Sequence, residues 1–243
     1  MIILKCEDSF EGILTAVFVG WNLTRTDEVS IETGAQSNMV LFAQYREIAT
    51  DLSKSVRVAN GLIKISERAH YMAYLAAMAD SDDKGTAIFG FIRRCFEIGE
   101  QAIDDLHNKD VAVVFELSRN VEREYWHYRG FLRFVKYNHF LLGQYEPVND
   151  IMILMADFFC DRLLQENFVI VDMNRHKAAV HAAGEYFVVC DVDTELINEL
   201  EMSDEERAIK EIFNTFQNTI GIESRRNLKL QQQNMPLRFR KYM

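Results

Sequence analysis

Residues 129–137 read RGFLRFVKY, and FLLGQYE follows at 140–146. The two apolar segments flank Tyr137, Asn138 and His139, a pattern that suits a β-hairpin. In the first strand, alternation places Phe131, Arg133 and Val135 on one face and Leu132, Phe134 and Lys136 on the other. Upstream of this stretch the apolar residues recur at helical spacing. Downstream, short runs of β-branched and aromatic residues return. Residue 129 is thus read as the point where a helical half gives way to a sheet.

On the helical side, Phe10, Ile13, Leu14, Val17, Phe18 and Trp21 form one stripe behind Asp8 and Ser9 as caps. Ile88, Phe91, Ile92, Cys95, Phe96 and Gly99 form another. Residues 51 to 128 read as several helices in succession, broken at Ser81-Asp82-Asp83-Gly85 and again at His107-Asn108. On the sheet side, Asn149 or Asp150 opens a helix running to about Leu164. Its apolar residues face nearly every direction, which predicts burial. NFVIVD (167–172), KAAVHA (177–182) and EYFVVCD (185–191) read as three strands joined by turns. Ser203 to Glu206 fits a capping box, followed by the amphipathic stripe Ile209, Ile212, Phe213, Phe216 and Ile220.

The expected class is α+β: a mainly helical N-terminal half, and a small antiparallel sheet flanked by helices in the C-terminal half. Only Pro147 and Pro236 occur, and no Gly/Ser-rich linker divides the chain. It therefore reads as a single compact domain over 1–243, with a mainly helical part at 1–128 and a sheet-plus-helix part at 129–243 that ends in a basic tail.

No apolar run approaches a membrane span, and the N-terminus lacks the pattern of a secretion signal. The four cysteines are scattered, as free thiols of a cytoplasmic protein would be. The net charge is −10, unevenly spread. Residues 224–243 hold six of the 27 bases and none of the 37 acids, leaving −16 for the rest. Two readings follow: the tail grips an external anion, or it folds back on the acidic body.

Cofactor motifs are missing. There is no G-x-G-x-x-G, Walker loop, H-E-x-x-H or nucleophile elbow, and no cysteine cluster for iron–sulfur chemistry. No cofactor and no metal is expected; His176 and His181, five apart on one expected strand, fall on opposite faces. RGF at 129–131 opens like the RNA-recognition signature, but Leu132 and Arg133 break it, and the two phenylalanines point opposite ways. Arg129 and Arg133 remain as phosphate ligands or as counter-charges for the acidic body. Asp172-Met-Asn-Arg175 fits a tight turn between strands, where Asp and Asn bond the local backbone; it also pairs an acid with a guanidinium. Glu124 precedes a run of aromatics, Tyr125 to Tyr128.

Several of these segments, in order, resemble one family. DSFEGILTAVF near the N-terminus, SVRVANGLIKIS at 55–66, the set Glu124, Gly130, Phe131, Arg133 and Phe134 followed by Pro147, then Phe159-x-Asp161-Arg162, Asp172-x-x-Arg175, and the signature from Thr219 to Phe239 are similar to an uncharacterised bacterial family linked to DNA metabolism and repair. It is a domain of unknown function encoded beside a radical-SAM protein and sometimes fused to a uracil-DNA glycosylase-like domain. The resemblance implies a DNA-associated accessory protein partnered with a radical-SAM enzyme. Arg129, Arg133, Arg162, Arg175, Arg225, Arg226, Lys229, Arg238, Arg240 and Lys241 would then contact phosphates. An alternative is a DNA-processing enzyme using Glu124, Asp161 or Asp172 as acids; another is a protein-interaction module without nucleic-acid contact. The chain departs from the family pattern at Trp126-His127, Phe158 and Val171, where relatives often carry histidine or a His-Arg pair.

Overall fold

Three consecutive apolar residues, Ile2, Ile3 and Leu4, open the chain, and all three are buried. A run without alternation is what a strand covered on both faces requires. In the computed structural model this run is strand β1 (Ile2–Cys6). The structure describes residues 1–23, 28–34, 40–137, 139–193, 229, 232–233 and 235–241. They gather into two units, Met1–Arg123 and Glu124–Met243.

In the N-terminal unit, β1 lies between β2 (Val29–Thr33) and β3 (Gln44–Ile48), parallel to both. The half is mainly helical as expected, but this three-stranded parallel sheet is an addition that the expectation lacked. Its strands are only five residues long, and their apolar runs are too short to separate from helix by periodicity. Parallel neighbours need a crossover, and helix α1 (Phe10–Leu23) supplies it between β1 and β2.

Helices α2 (Leu52–Ile65), α3 (Glu67–Ala77) and α4 (Lys84–Ile98) follow. Asp51 caps α2 by accepting the Ser53 and Lys54 amides. Ser66 ends α2 and starts α3: its amide donates to Leu62, and its hydroxyl accepts from Ala69. That shared cap is a break the spacing pattern does not reveal. The expected break near 81–85 precedes α4. A Cβ at Gly85 would stand 2.6 Å from the Ile31 carbonyl oxygen, so the glycine lets α4 approach β2 closely. The Thr86 hydroxyl completes that approach, accepting from the Ile31 amide (3.0 Å) and donating to its carbonyl (3.1 Å). Buried Lys84 bonds the Ala79 carbonyl at 2.8 Å and Asp8 at 2.6 Å. The core joins Leu4, Ile13, Leu14, Ile31, Leu62, Ile88 and Phe91.

Helix α5 (Lys109–Phe131) begins beyond the expected break, where Asn108 accepts the Asp110 and Val111 amides. It runs on through Arg129, Gly130 and Phe131. The helix thus consumes the first three residues of RGFLRFVKY, which corrects their reading as strand. Arg129 sits in its last turn, where a cation complements the helix dipole.

In the C-terminal unit, β4 (Phe134–Tyr137) and β5 (Phe140–Tyr145) form the expected hairpin. The sheet order is β4-β5-β6-β7-β8, with β6 (Phe168–Asp172), β7 (Lys177–His181) and β8 (Val188–Asp191). All pairs are antiparallel except β5 and β6. The sheet is therefore mixed, which corrects the antiparallel expectation. The cause is α6 (Met152–Arg162), which connects β5 to β6 as a crossover and returns the chain in the same direction. One side of α6 is buried through Met152, Met155, Ala156 and Phe159, while Ile153 and Asp157 face solvent. The expected helix at 203–220 lies outside the described residues. No helix among the described residues is long and apolar enough to cross a membrane.

All four cysteines are free thiols. Burial pushes the Cys6 and Cys95 thiols up to about 12 and raises Cys160 as well. Cys190 is exposed. An aromatic disulfide reagent at mildly alkaline pH is expected to modify Cys190 rapidly and the other three only in denaturant; peptide mapping reads this. Gly85→Ala is expected to lower stability by about 1–3 kcal/mol in urea unfolding, because Ile31 backbone must move.

Candidate functional site

The loop at 147–149 connects β5 to α6, and its backbone polar groups need partners. They find them on two sides. From α5, the carboxylate of Glu124 accepts the Val148 amide (3.0 Å), the Asn149 amide (2.8 Å) and the Asn149 side chain (2.7 Å). From the β6–β7 turn, Arg175 donates to the carbonyls of Pro147 and Val148, and Asn174 donates to Pro147 at 2.9 Å. Asp172 orients that turn by accepting the amides of Asn174 (2.9 Å) and Arg175 (3.1 Å) and the Arg175 guanidinium (3.1 Å).

Glu124 is 2% exposed and Asp172 is not exposed at all. Burial raises Asp172 above the usual carboxylate range, against the lowering pull of Arg175. Both acids are committed to holding backbone, and Asp161 is exposed on α6. The three acids singled out from the sequence therefore do not share one arrangement for proton transfer. Arg175 is likewise occupied with carbonyls rather than turned to solvent.

The described end of the chain packs beside Glu124. Phe239 is buried against His127 (ring centroids 4.9 Å), Tyr128 (4.7 Å) and Phe131 (6.0 Å). Arg238 lies 3.6 Å from Glu124, and Lys241 pairs with Glu146. Arg240 donates to the Met235 carbonyl at 3.0 Å. Arg133 is half-buried and lines a small hollow with Gln144, Glu146 and Phe239. Lys229 is exposed. Arg225 and Arg226 lie outside the described residues.

Arg129 and Arg162 are placed differently. The Arg129 guanidinium sits 4.5 Å from the Trp126 ring centroid and 3.9 Å from that of Phe158. Trp126 precedes Arg129 by three residues on α5, the spacing that puts side chains on one helix face. Phe158 comes from α6, and Arg162 follows it by four residues on the exposed side of that helix. Among the described residues, no carboxylate lies within ion-pairing distance of Arg129 or Arg162. Trp126 remains 55% exposed. Two of the three departures from the family pattern, Trp126 and Phe158, thus meet at one cation. The third, Val171, is core.

Cation–π contact holds the Arg129 head group without neutralising it. A planar guanidinium beside an open indole offers donors to a phosphate and a face to a base. The sequence singles out both arginines by type, with the aromatics of 125–128 visible only as a run. The missed signal was the i, i+3 pair Trp126–Arg129 inside what is helix. Among the described residues, no group of three or more His, Cys, Asp or Glu side chains is arranged to hold a metal ion.

Replacing Glu124 by Gln is expected to destabilise the protein by about 1–3 kcal/mol, since one buried loop donor then faces an amide NH2. Urea unfolding followed by fluorescence and circular dichroism measures this.

Comparison with solved structures finds an uncharacterized protein from Helicobacter pylori G27, 10% identical, covering 90% of this chain and 99% of that chain with a TM-score of 0.23. No curated protein matches the chain. Residues 82–243 match the family described as a domain of unknown function, DUF4130. The match takes in all of α4 and α5 and the whole C-terminal unit with its loop clamp and its Trp126–Arg129–Phe158 cluster, and the chain belongs to that family.

Proposed function

We propose that the protein is an accessory factor of DNA metabolism or repair that contacts single-stranded nucleic acid through Trp126, Arg129 and Arg162. The reading rests on one observation: a guanidinium held between two rings with no carboxylate of the described residues beside it. Contact with single strands combines backbone cations with aromatic faces on which bases stack, each stacked base contributing about 1–3 kcal/mol. The net charge of −10 opposes a long duplex footprint and suits a local contact. Demanding chemistry would fall to a partner, and the sequence resemblance supports a radical-SAM enzyme in that role.

A second reading, a protein-interaction module, draws support from the C-terminal segment. Arg238 and Lys241 face Glu124 and Glu146, so these two cations of the basic tail are already matched internally.

Fluorescence anisotropy with a labelled single-stranded oligonucleotide at low salt separates the two. Two arginine contacts predict a slope of log affinity against log salt of about −1.4. Arg129→Ala and Trp126→Ala are each expected to weaken binding by roughly tenfold, in line with the loss of one stacked or charge-assisted contact. Absence of binding at low salt, or affinity unchanged in Arg129→Ala, would overturn the nucleic-acid reading and leave the interaction module.

A further inference from the structure

A second aromatic site opens in the N-terminal unit, built entirely from α1, α2 and α4. It is a groove of about 350 Å3, at the small end of the range that ligand pockets occupy. Val17, Val58 and Ile92, all buried, make its floor. Phe18, Trp21 and Phe96 form its walls. Trp21 and Phe96 meet edge to face, with centroids 5.3 Å apart and planes at 71°. Both stay open to solvent, at 39% and 44% exposure. Phe96 reaches this position because residue 61 is glycine: a Cβ there would stand 2.8 Å from the ring.

Two polar side chains stand at the rim. Arg57 lies over the Phe18 ring at 5.0 Å, and Asn22 follows Phe18 by one helical turn. Arg57 is exposed, and no carboxylate of the described residues pairs with it. The ring beneath the guanidinium fixes its plane and leaves its charge uncompensated. An apolar floor, aromatic walls, one amide and one guanidinium are four different demands on a ligand. The walls ask for a flat ring. The amide asks for a ring edge that both donates and accepts, as a nucleobase does. The guanidinium asks for a tetrahedral or planar anion a short distance away.

We propose that this groove binds a nucleoside monophosphate, its base against Trp21 and Phe96 and its phosphate on Arg57. The site uses no residue of the Arg129 cluster and does not depend on the function proposed for it.

The test uses the full chain carrying Trp126→Phe. Trp21 is then the sole tryptophan of a chain that has two, and the Arg129 cluster has lost its indole. AMP, GMP, CMP and UMP are each titrated while Trp21 fluorescence is followed. At least one is expected to quench saturably in the millimolar range or below. The matching nucleoside and ribose 5-phosphate should each bind at least about tenfold more weakly, the value of one lost charge-assisted contact or one lost stack. Arg57→Gln spares the core because Arg57 is exposed; it should bring the monophosphate down to the affinity of the nucleoside and leave the nucleoside unchanged. No saturable quenching by any of the four monophosphates would overturn the proposal. So would ribose 5-phosphate binding as tightly as the monophosphate, or a monophosphate affinity untouched by Arg57→Gln in a protein whose circular dichroism matches the parent.

Discussion

One buried carboxylate and one guanidinium close on three residues of backbone, a second buried carboxylate sets the turn that carries the guanidinium, and the C-terminal unit is organised around that grip. A buried charge is tolerable only when its lone pairs or protons are taken up. Glu124 meets this condition with amides, and Asp172 meets it with amides and Arg175. Arg175 in turn meets it with carbonyls. The loop they hold is where the chain leaves β5 for the crossover. Fixing that loop fixes where α6 begins, and hence where Phe158 presents its ring. The cation site on Arg129 thus depends on a charge network whose two carboxylates are buried.

That dependence separates two kinds of polar residue that look alike on paper. Glu124, Asp172 and Arg175 spend their charge inward, on main chain. Arg129 and Arg162 keep theirs at the surface, and aromatic contact steadies the first without cancelling it. In an acidic protein, such an uncancelled cation is a local exception to the overall field, and it is selective for that reason. The tail cations Arg238 and Lys241 belong to neither class: both are exposed, and their charge is matched by the Glu124 and Glu146 carboxylates.

Much of the fold was legible because its long elements repeat cleanly. The stripes of α1 and α4, the β4–β5 hairpin and the strands β6 to β8 all follow a simple period. What escaped was set by contacts distant in sequence. Strand β1 is three apolar residues and two more, and it is recognisable as strand only with β2 and β3 on either side. The parallel pairing of β5 with β6 follows from α6 packing as a crossover, which no local pattern encodes. Arg129 looked like part of a strand because RGFLRF alternates. The helix wins there because α5 has already run for five turns, and adding a turn to an existing helix is far easier than starting one. The acids drew notice as chemical groups, but their backbone partners come from 24 residues or more along the chain for Glu124. The ring–cation cluster was half visible: its positions stood out by type, and only their convergence was hidden.

The hydroxyl of Thr86 has a further meaning for the parallel sheet. At Ile31 it occupies the donor and acceptor that an added strand would use, so side-by-side accretion at the β2 edge must first lift α4 away. Extension is left to the opposite margin, where β3 is five residues long and shows solvent Arg46 and Glu47. Short length and charge are how natural sheets discourage self-association at a free edge. Among the described residues, one threonine, one helix and two charged residues thus work against strand addition at the two edges of the sheet.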